Sequence, residues 1–419
     1  MKVLLINTSE KTGGAAIACN RLLDALNHNG VKAKMLVRQK QTNNINVTEA
    51  SSKWLQPLRF VWERLVILMH NRMEYNGVFG VDIANTGTDI TQLEEFREAD
   101  VIHLHWTNQA FLSLSDLAKI LHSGKKIVIT MHDQWYFTGI CHYSADCEKY
   151  TEQCCKCPQI KGGLTDLARR AFDRKRQIYS SARITFVGCS KWMATLAGKS
   201  ALTHGHQITN IPNAINTNLF CPTDQQEARK HFGLPSDKRL LLFGAQRITD
   251  ERKGFRYLAE ACKLLKESGK ELADSIAIVV VGGDSEKVKD ILPMDVFTVA
   301  YIKEVRQMAE LYNAVDAYVT PSLQDNLPNT IVEAMSCGVP CVGFCVGGIP
   351  EMIDHKQNGY VAKYTDATDF ADGIAWVLDR ERHATLASNA RSAAVSTYSE
   401  QSVARKYIQI YDNSRLSNL

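Results

Sequence analysis

Apolar and polar positions alternate along the first half of the chain in a pattern that predicts strands followed by helices. Lys2–Asn7 is a short run rich in Val, Leu and Ile, and it stops at a polar loop. In Ala15–His28 the apolar residues recur with the helical period, which predicts a helix after this loop. Further strands are predicted at Val31–Val37, Val101–His105, Lys126–Met131 and Ile184–Cys189.

The second half repeats this alternation. Its predicted strands are Arg239–Gly244, Ser275–Val281, Val296–Ala300, Ala317–Thr320 and Pro340–Phe344. Strands that alternate with helices indicate parallel sheets covered by helices. The unbroken apolar run from Ile276 to Val281 is typical of a strand buried on both faces. The predicted fold class is therefore α/β.

A chain of 419 residues is longer than one hydrophobic core usually serves, so we expect two domains. The first is predicted at residues 1–205 and carries a cysteine-rich loop at 141–157. The second is predicted at residues 206–399. The tail at 400–419 reads as a helix that packs back on the first domain.

The composition is that of an ordinary globular enzyme, with 45% hydrophobic and 22% charged residues. A net charge of +4 is too small to indicate nucleic-acid binding, and we expect no nucleic-acid partner. The opening residues turn polar too early for a secretory signal, and the chain contains no apolar run of about 18 residues. We therefore expect a cytoplasmic protein.

The segment Lys53–Arg72 mixes Trp, Leu, Val and Ile with basic residues. Such a segment is compatible with an amphipathic helix at a membrane interface, and so with peripheral contact with the inner membrane. The more common arrangement is a surface helix with one apolar stripe packed on its own domain, and this is the one we expect.

Candidate chemistry begins directly after the predicted strand Arg239–Gly244. Arg247 and Lys253 lie six positions apart across a turn, at a strand end where open parallel sheets bind ligands. A guanidinium fork and an ammonium group are suited to a diphosphate. Taken alone the signal is weak, because two basic loop residues are more often solvated.

A second candidate follows the strand Ala317–Thr320. A polar loop there leads into a helix predicted to open near Pro328 and to end at Gly338. Loop amides and a helix N-terminus form an anion site. Glu333 lies on this helix, where it either reaches a ribose diol or only complements the helix dipole.

Together, the order and spacing of these segments resemble glycosyltransferase family 4, in its bacterial surface-polysaccharide type, over most of the chain. The matching pieces are Gly13-Gly14, His132-Asp133, Ser190, Ile211–Ile215, Arg247 with Lys253-Gly254, Val281–Gly283, Leu311–Asp316, Pro321-Ser322, Asp325 with Glu333–Met335, Gly338–Pro340 and Gly347–Glu351.

The resemblance implies a GT-B fold, in which two Rossmann-like domains face each other across a cleft. It also implies a retaining glycosyltransferase of the hexosyltransferase type that needs no cofactor or metal for catalysis. Its partners would be a nucleotide-diphosphate sugar donor and a glycan or lipid-linked acceptor in polysaccharide biosynthesis. The alternatives are a GT-B sugar-nucleotide epimerase or phosphorylase, or a catalytically degenerate binding subunit.

Residue by residue, the resemblance implies that Arg247 and Lys253 grip the diphosphate and that Glu333 holds the ribose. Asp325 and the amides near Asn326 and Leu327 would contact the hydroxyls of the donor sugar. The family usually has glutamate at the position of Asp325, whose side chain is one methylene shorter.

The resemblance also places His132 beside the donor sugar as a catalytic residue, although a histidine in this position could instead cap the following turn. Gly14, at the start of the first helix, would bind the donor. His103 and His105 alternate on one strand end and so share a face; we interpret them as packing or acceptor-side residues.

The cysteine-rich loop is the sharpest local signal. Cys154 and Cys157 have the spacing of a metal-chelating knuckle, and Cys141 and Cys147 would complete a four-thiolate tetrahedron. We predict a structural zinc ion here. Two disulfides and a loop of free thiols are the alternatives, the first of which the absence of a secretory signal disfavours.

Overall fold

The computed structural model describes residues 1–50, 55–162, 165–268 and 271–412. These residues form two compact units. The first contains Met1–Asn213 together with the chain from Val403, and the second contains Ala214–Ser402. The boundary follows Asn213, eight residues after the predicted position, because Gln207–Asn210 forms a strand that pairs with the sheet of the first unit.

The sheet of the first unit is parallel, and within the described residues it has seven strands in the order β3-β2-β1-β4-β5-β6-β7. The strands are β1 Lys2–Ser9, β2 Lys32–Gln39, β3 Val47–Glu49, β4 Val101–Leu104, β5 Lys126–Met131, β6 Ile184–Gly188 and β7 Gln207–Asn210. The central strands are mostly apolar and are buried on both faces over nearly their whole length, as in a sheet covered by helices on each side.

The helices of the first unit follow the strands in the expected alternation. They are α1 Gly14–His28, α2 Leu55–His70, α3 Glu94–Glu98, α4 Leu114–Leu121, α5 Leu167–Tyr179 and α6 Lys191–Lys199. Side chains fix several of their starts: Ser113 and Asp116 form a reciprocal capping box on α4, and the Ser190 hydroxyl accepts from the Met193 amide on α6.

The sheet of the second unit is also parallel, with six strands among the described residues in the order β10-β9-β8-β11-β12-β13. The strands are β8 Arg239–Arg247, β9 Ile276–Gly283, β10 Asp295–Val299, β11 Ala317–Thr320, β12 Cys341–Phe344 and β13 Gly359–Ala362. The helices are α7 Gln225–His231, α8 Phe255–Glu267, α9 Glu271–Ser275, α10 Val305–Ala314, α11 Asn329–Ser336, α12 Ile349–Met352, α13 Ala367–Val377 and α14 Arg380–Tyr398.

Both sheets follow the Rossmann order, in which the direction of strand addition reverses at one place. The reversal lies between β1 and β4 in the first unit and between β8 and β11 in the second. Ligands of open α/β sheets bind outside the carboxyl ends of the strands at such a switch point. The topology therefore marks one edge of each sheet as a candidate binding region.

The chain ends with helix α15, Glu400–Tyr411. The Tyr411 hydroxyl lies 2.7 Å from His103 Nδ1, and the Tyr407 hydroxyl lies 2.8 Å from Thr130 Oγ1. These buried polar contacts attach the end of the described chain to strands β4 and β5 of the first unit.

Helix α2 differs from the packed surface helix expected at Lys53–Arg72; Lys53 and Trp54 lie outside the described residues. Its apolar residues Leu58 and Trp62 are exposed, whereas Gln56 and Glu63 are buried. The sequence prediction assumed that the apolar stripe faces the core, and in the structure Gln56 and Glu63 share that side with the buried Ile67. Among the described residues, no helix is long and apolar enough to cross a membrane.

Two loops at the switch point of the second unit are held together by a backbone contact at Gly254. This residue has φ +70°, and a Cβ atom placed on it would lie 1.8 Å from the Pro321 carbonyl oxygen. The Leu323 amide donates to the Arg252 carbonyl at 2.7 Å. Only glycine permits this approach of the loop after β8 to the loop after β11.

We predict that Gly254→Ala lowers the free energy of unfolding by about 2–5 kcal/mol, since it combines left-handed strain with a backbone clash. The matched control is Gly233→Ala, where φ is +63° and nothing lies within 4 Å of the added Cβ. The control should lose only the strain, about 1–2 kcal/mol. Urea unfolding of both full-length variants measures the difference, and equal losses would contradict the packing argument.

Candidate active site

Lys253 and Asp325 meet at the switch point of the second unit. Lys253 ends the short 3-10 turn Glu251–Lys253 after β8, and Asp325 lies in the loop after β11. Lys253 Nζ lies 2.8 Å from Asp325 Oδ2, and the two side chains keep 33% and 16% of their surface exposed. An ammonium group has three donors, so Lys253 can hold this carboxylate and still donate to a ligand.

Arg247 is placed differently from the prediction, which put it in a loop. It is the last residue of β8, which runs past Gly244 through an irregularity in its pairing with β9. Its side chain is exposed. The hydrogen bond and the charge of Lys287 and, to a smaller extent, the charge of Arg247 lower the pKa of Asp284. The structure thus brings Lys253 to Asp325 and leaves Arg247 at the strand end near Asp284.

The loop from Asp325 to Pro328 leads into helix α11 as predicted, with Pro328 at the N-cap and Gly338 after the last turn at φ +76°. Asn326 and Leu327 are buried at this turn. A Cβ on Gly347, at φ +57°, would lie 1.8 Å from the Asp325 carbonyl oxygen, so a second tight backbone contact fixes the loop. The positive end of α11 is therefore held beside the Lys253–Asp325 pair.

Glu333 lies on α11 and is buried, with 7% of its surface exposed. Its Oε2 accepts a hydrogen bond of 2.9 Å from the Tyr312 hydroxyl of α10. Burial, and then the neighbouring carboxylate, raise the pKa of Tyr312 well above its ordinary value, so the phenol stays a donor. Tyr312 was part of the recognised motif, but the sequence did not indicate that it positions Glu333.

In the first unit, His132 follows β5 and meets His105 from the end of β4. His105 Nδ1 lies 2.9 Å from His132 Nε2, and the rings are stacked with centroids 5.2 Å apart. The Cys189 thiol lies 3.4 Å from His132 Nδ1. Burial lowers the pKa of His132 to about 4 and that of His105 well below its ordinary value. Both imidazoles are therefore neutral at pH 7.

His103 shares a strand face with His105, as the alternation predicted, and their ring centroids are 4.3 Å apart. Its two nitrogens contact the Tyr411 and Thr130 hydroxyls, both at 2.7 Å. Burial lowers its pKa to about 3. His103 is a packing residue that joins β4, β5 and α15.

A neighbouring ion pair was missed by sequence reasoning. Asp133 Oδ2 lies 2.7 Å from His142 Nδ1 and accepts from Trp106 Nε1 at 2.7 Å. Burial alone lowers the pKa of His142, but the charge and hydrogen bond of Asp133 outweigh it and raise the pKa. Trp106 and Asp133 each follow the end of a strand, β4 and β5, and the adjacency of those strands was the available signal.

Gly14 is the first residue of α1, and it follows Gly13 with φ 92°. The two glycines thus form the turn between β1 and α1, at the carboxyl edge of the first sheet. This is the position that the sequence predicted for them.

The four cysteines of the predicted zinc site lie in one neighbourhood. Cys141 and Cys154 are buried, and Cys147 and Cys157 are half-buried. The Gly139 amide donates to Cys154 Sγ at 3.2 Å, and the Gln159 amide donates to the Cys157 thiol. In the part of the chain that the structure describes, no three His, Cys, Asp or Glu side chains are arranged to hold a metal ion. The zinc site stays a prediction.

The site of the second unit therefore combines an ammonium group, a helix N-terminus and two carboxylates at the edge of a parallel sheet. Cationic and amide donors bind anions such as phosphates, and carboxylates accept from hydroxyl groups. The arrangement is suited to a ligand that carries both phosphates and hydroxyls.

Two parallel-sheet α/β units with these strand orders define a GT-B fold, and comparison with solved structures confirms the predicted fold. Sucrose-phosphate synthase from Thermosynechococcus elongatus matches with a TM-score of 0.70 at 19% identity, covering 98% of each chain. HepE of Anabaena, solved in complex with UDP and glucose, matches with a TM-score of 0.64 at 18% identity, covering 100% of each chain.

At the level of sequence, residues 237–380 match the family Glycosyl transferases group 1. N-acetyl-alpha-D-glucosaminyl L-malate synthase from Bacillus anthracis is 25% identical over 210 residues, which cover 49% of this chain and 53% of that protein. The chain thus spans about half the length of the curated relatives that it matches. These comparisons support a glycosyltransferase enzyme of the GT-B fold.

The buried imidazoles predict how stability depends on pH. The ordinary pKa is 6.5, and the pKa of His103 is about 3 and that of His132 about 4 in the folded state. At a pH between the folded-state pKa and 6.5, the unfolded chain therefore binds more protons than the folded chain. The free energy of unfolding falls as the pH drops below 6.5, by up to about 1.4 kcal/mol per pH unit for each imidazole. His142, with a raised pKa, acts in the opposite direction.

We predict that His103→Gln makes the loss of unfolding free energy between pH 7.5 and pH 5 smaller than in the wild type, because the variant lacks one imidazole that contributes up to about 1.4 kcal/mol per pH unit below pH 6.5. Thermal unfolding of the variant and wild type across this range measures it. The exposed His204→Gln is the matched control and should leave the pH dependence of the wild type unchanged. An identical pH dependence in all three proteins would show that His103 is not held neutral.

Proposed function

We propose that this protein is a retaining glycosyltransferase that moves a sugar from a nucleotide-diphosphate donor to a glycan or lipid-linked acceptor without a catalytic metal. The observation that carries the proposal is the Lys253–Asp325 pair at the switch point between β8 and β11, beside the start of α11. It offers positive charge for a diphosphate and a carboxylate for sugar hydroxyls in one place.

The names of similar proteins support this class of donor. HepE of Anabaena has been solved with UDP and with UDP-glucose, and its fold extends over the whole chain. The synthase of Bacillus anthracis is named for a glucosaminyl product. A nucleotide-diphosphate sugar is the donor class that we infer for the present chain.

The proposed chemistry follows from where charge develops. When the bond between the anomeric carbon and the phosphate oxygen breaks, its electron pair stays on the nucleoside diphosphate. Lys253, Arg247 and the amides at the start of α11 stabilise that charge in place of a metal. The acceptor hydroxyl attacks the same face that the diphosphate leaves, and its proton passes to a phosphate oxygen, so the configuration is retained.

In this proposal Asp325 and Glu333 bind different parts of the donor. Glu333, held by Tyr312 inside the second unit, accepts from the ribose hydroxyls. Asp325 and the amides of Asn326 and Leu327 contact the donor sugar. The Asp325 side chain is one methylene shorter than the usual glutamate. Lys253 offsets this difference, because its ammonium group fixes the position of the Asp325 carboxylate. His132, as a neutral imidazole, stays a predicted catalytic residue.

The function is tested by turnover and by ligand binding of the full-length chain. Thermal shift with UDP, GDP, ADP and CMP should identify one diphosphate that raises the melting temperature, because a ligand at about 100 times its Kd adds near 2.7 kcal/mol. The matching nucleotide sugar should then be consumed only when an acceptor is present. Conversion of the donor without acceptor would indicate an epimerase instead.

We predict that Lys253→Ala lowers turnover by about 10²–10³-fold, since one electrostatic donor to the leaving group is lost, and leaves the fold intact. The matched control is Lys266→Ala, which removes an exposed lysine that pairs with Asp274 in the same unit. The control should keep wild-type turnover. Near-normal turnover of the Lys253 variant would remove this residue from the mechanism.

We also propose that Cys141, Cys147, Cys154 and Cys157 hold a structural zinc ion. Support comes from four soft donors in one loop and from backbone amides that donate to two of the sulfurs. No three of these thiols, which all lie in described segments, are arranged in the structure to hold a metal ion, so binding requires the loop to rearrange. Closure of the loop around zinc would stabilise the segment that follows β5.

Elemental analysis of protein purified without chelator should therefore find about one equivalent of zinc, because four thiolates bind this ion tightly. Cys154→Ser should lose most of it. Cys345→Ser, at an exposed and isolated cysteine, should keep it. Less than about a tenth of an equivalent in the wild type would contradict the site.

A further inference from the structure

Helix α2 presents its apolar side to solvent. Leu58, Trp62, Leu65 and Met69 recur every three or four residues and so lie on one helical face. Their exposed fractions are 66%, 53%, 40% and 50%. Isolated exposed apolar side chains are common, but a continuous stripe of them marks an interaction surface. We refer to these four residues as the α2 apolar face.

The opposite side of α2 carries polar groups into the interior. Glu63 is fully buried, and its Oε1 accepts from the Ala84 amide at 2.9 Å. Arg64 lies 3.0 Å from Glu63 and 2.9 Å from Asp82, and it also donates to backbone carbonyls of residues 78 and 81. Burial raises the pKa of Glu63 to about 8, so the charged partner of Arg64 is Asp82. Rotating the helix to bury its apolar face would break the Arg64–Asp82 ion pair and the buried hydrogen bonds of Glu63, at a high cost in free energy. The buried polar contacts therefore fix the α2 apolar face in its outward orientation.

The charges around this face are mainly basic. The one acidic residue of α2 is the buried Glu63. Arg72 is exposed just after the helix. A cavity of about 590 Å³ lies between α2 and α5, and Arg170 and Arg174 line it together with Val66 and His70.

Of the nearby acidic side chains, two are paired with bases, and Asp166 caps α5 through the Arg169 amide. Glu74 contacts Lys161, and Asp173 lies 3.7 Å from Arg169. The free positive charge of Arg72, Arg170 and Arg174 therefore adjoins the apolar face without an equal number of unpaired carboxylates. An occupant that is apolar in part and anionic in part would match this surface.

We propose that the α2 apolar face docks on an anionic lipid bilayer, with the neighbouring arginines against the lipid headgroups. Trp62 and the aliphatic side chains would enter the boundary between headgroups and acyl chains, as in interfacial helices. Each arginine near an anionic surface adds attraction. A second copy of this chain fits less well, because a twofold contact through the same face would bring like charges together.

The test is co-sedimentation of the full chain with vesicles, without nucleotide. The chain should bind vesicles of mixed phosphatidylcholine and phosphatidylglycerol more tightly than vesicles of phosphatidylcholine alone. Trp62→Ser with Leu65→Ser should lower binding at least about tenfold, because both side chains leave the lipid. Arg170→Gln and Arg174→Gln should each weaken binding to the anionic vesicles by about fivefold.

The matched control is Ile291→Ser with Tyr301→Ser, which removes two exposed apolar side chains of the second unit. It should bind vesicles like the wild type. Absence of binding to anionic vesicles, or equal binding by the Trp62/Leu65 variant, would overturn the proposal. So would a dimer in analytical ultracentrifugation that the Trp62/Leu65 variant dissociates, since the occupant would then be a second copy.

Discussion

The backbone contact between Gly254 and Pro321 is the constraint on which the candidate site of the second unit depends. Parallel pairing of β8 with β11 brings their carboxyl ends to one edge, but adjacency alone leaves the following loops free. The contact at Gly254 joins the loops, and as a result Lys253 and Asp325 lie within hydrogen-bond distance. A charged pair at a strand edge becomes a preorganised site because the backbone beneath it is fixed.

Buried polar groups organise the first unit in a similar way. The His105 and His132 imidazoles stack on each other, His103 lies against His105, and the Tyr411 hydroxyl of α15 contacts His103. Beside α2, burial of Glu63 and Arg64 fixes which side of the helix faces outward. In both places polar residues contribute to how an element is oriented, since a buried polar group needs a hydrogen-bond partner.

Sequence patterns predicted the long elements well and the marginal ones poorly. Strands such as Lys126–Met131 and Ala317–Thr320 were confirmed at both ends, because an apolar run bounded by polar residues is a strong signal. The strands β3 and β7 were missed because their residues are largely polar, and β13 was missed because it is short and begins with a glycine. Arg247 was assigned to a loop because Gly244 suggested a strand end, where the structure instead continues through an irregularity.

By itself the sequence determined the α/β class, the position of α11 between Pro328 and Gly338, and the residues at which candidate chemistry is concentrated. These depend on local periodicity and on turn residues, which act over a few positions. Only the tertiary structure decided that Lys253 contacts Asp325, that Asp133 pairs with His142, and that α2 turns its apolar side outward. Lys253 and Asp325 lie 72 positions apart, and Asp133 and His142 lie nine apart across a loop. The local pattern around one partner therefore does not encode the contact with the other.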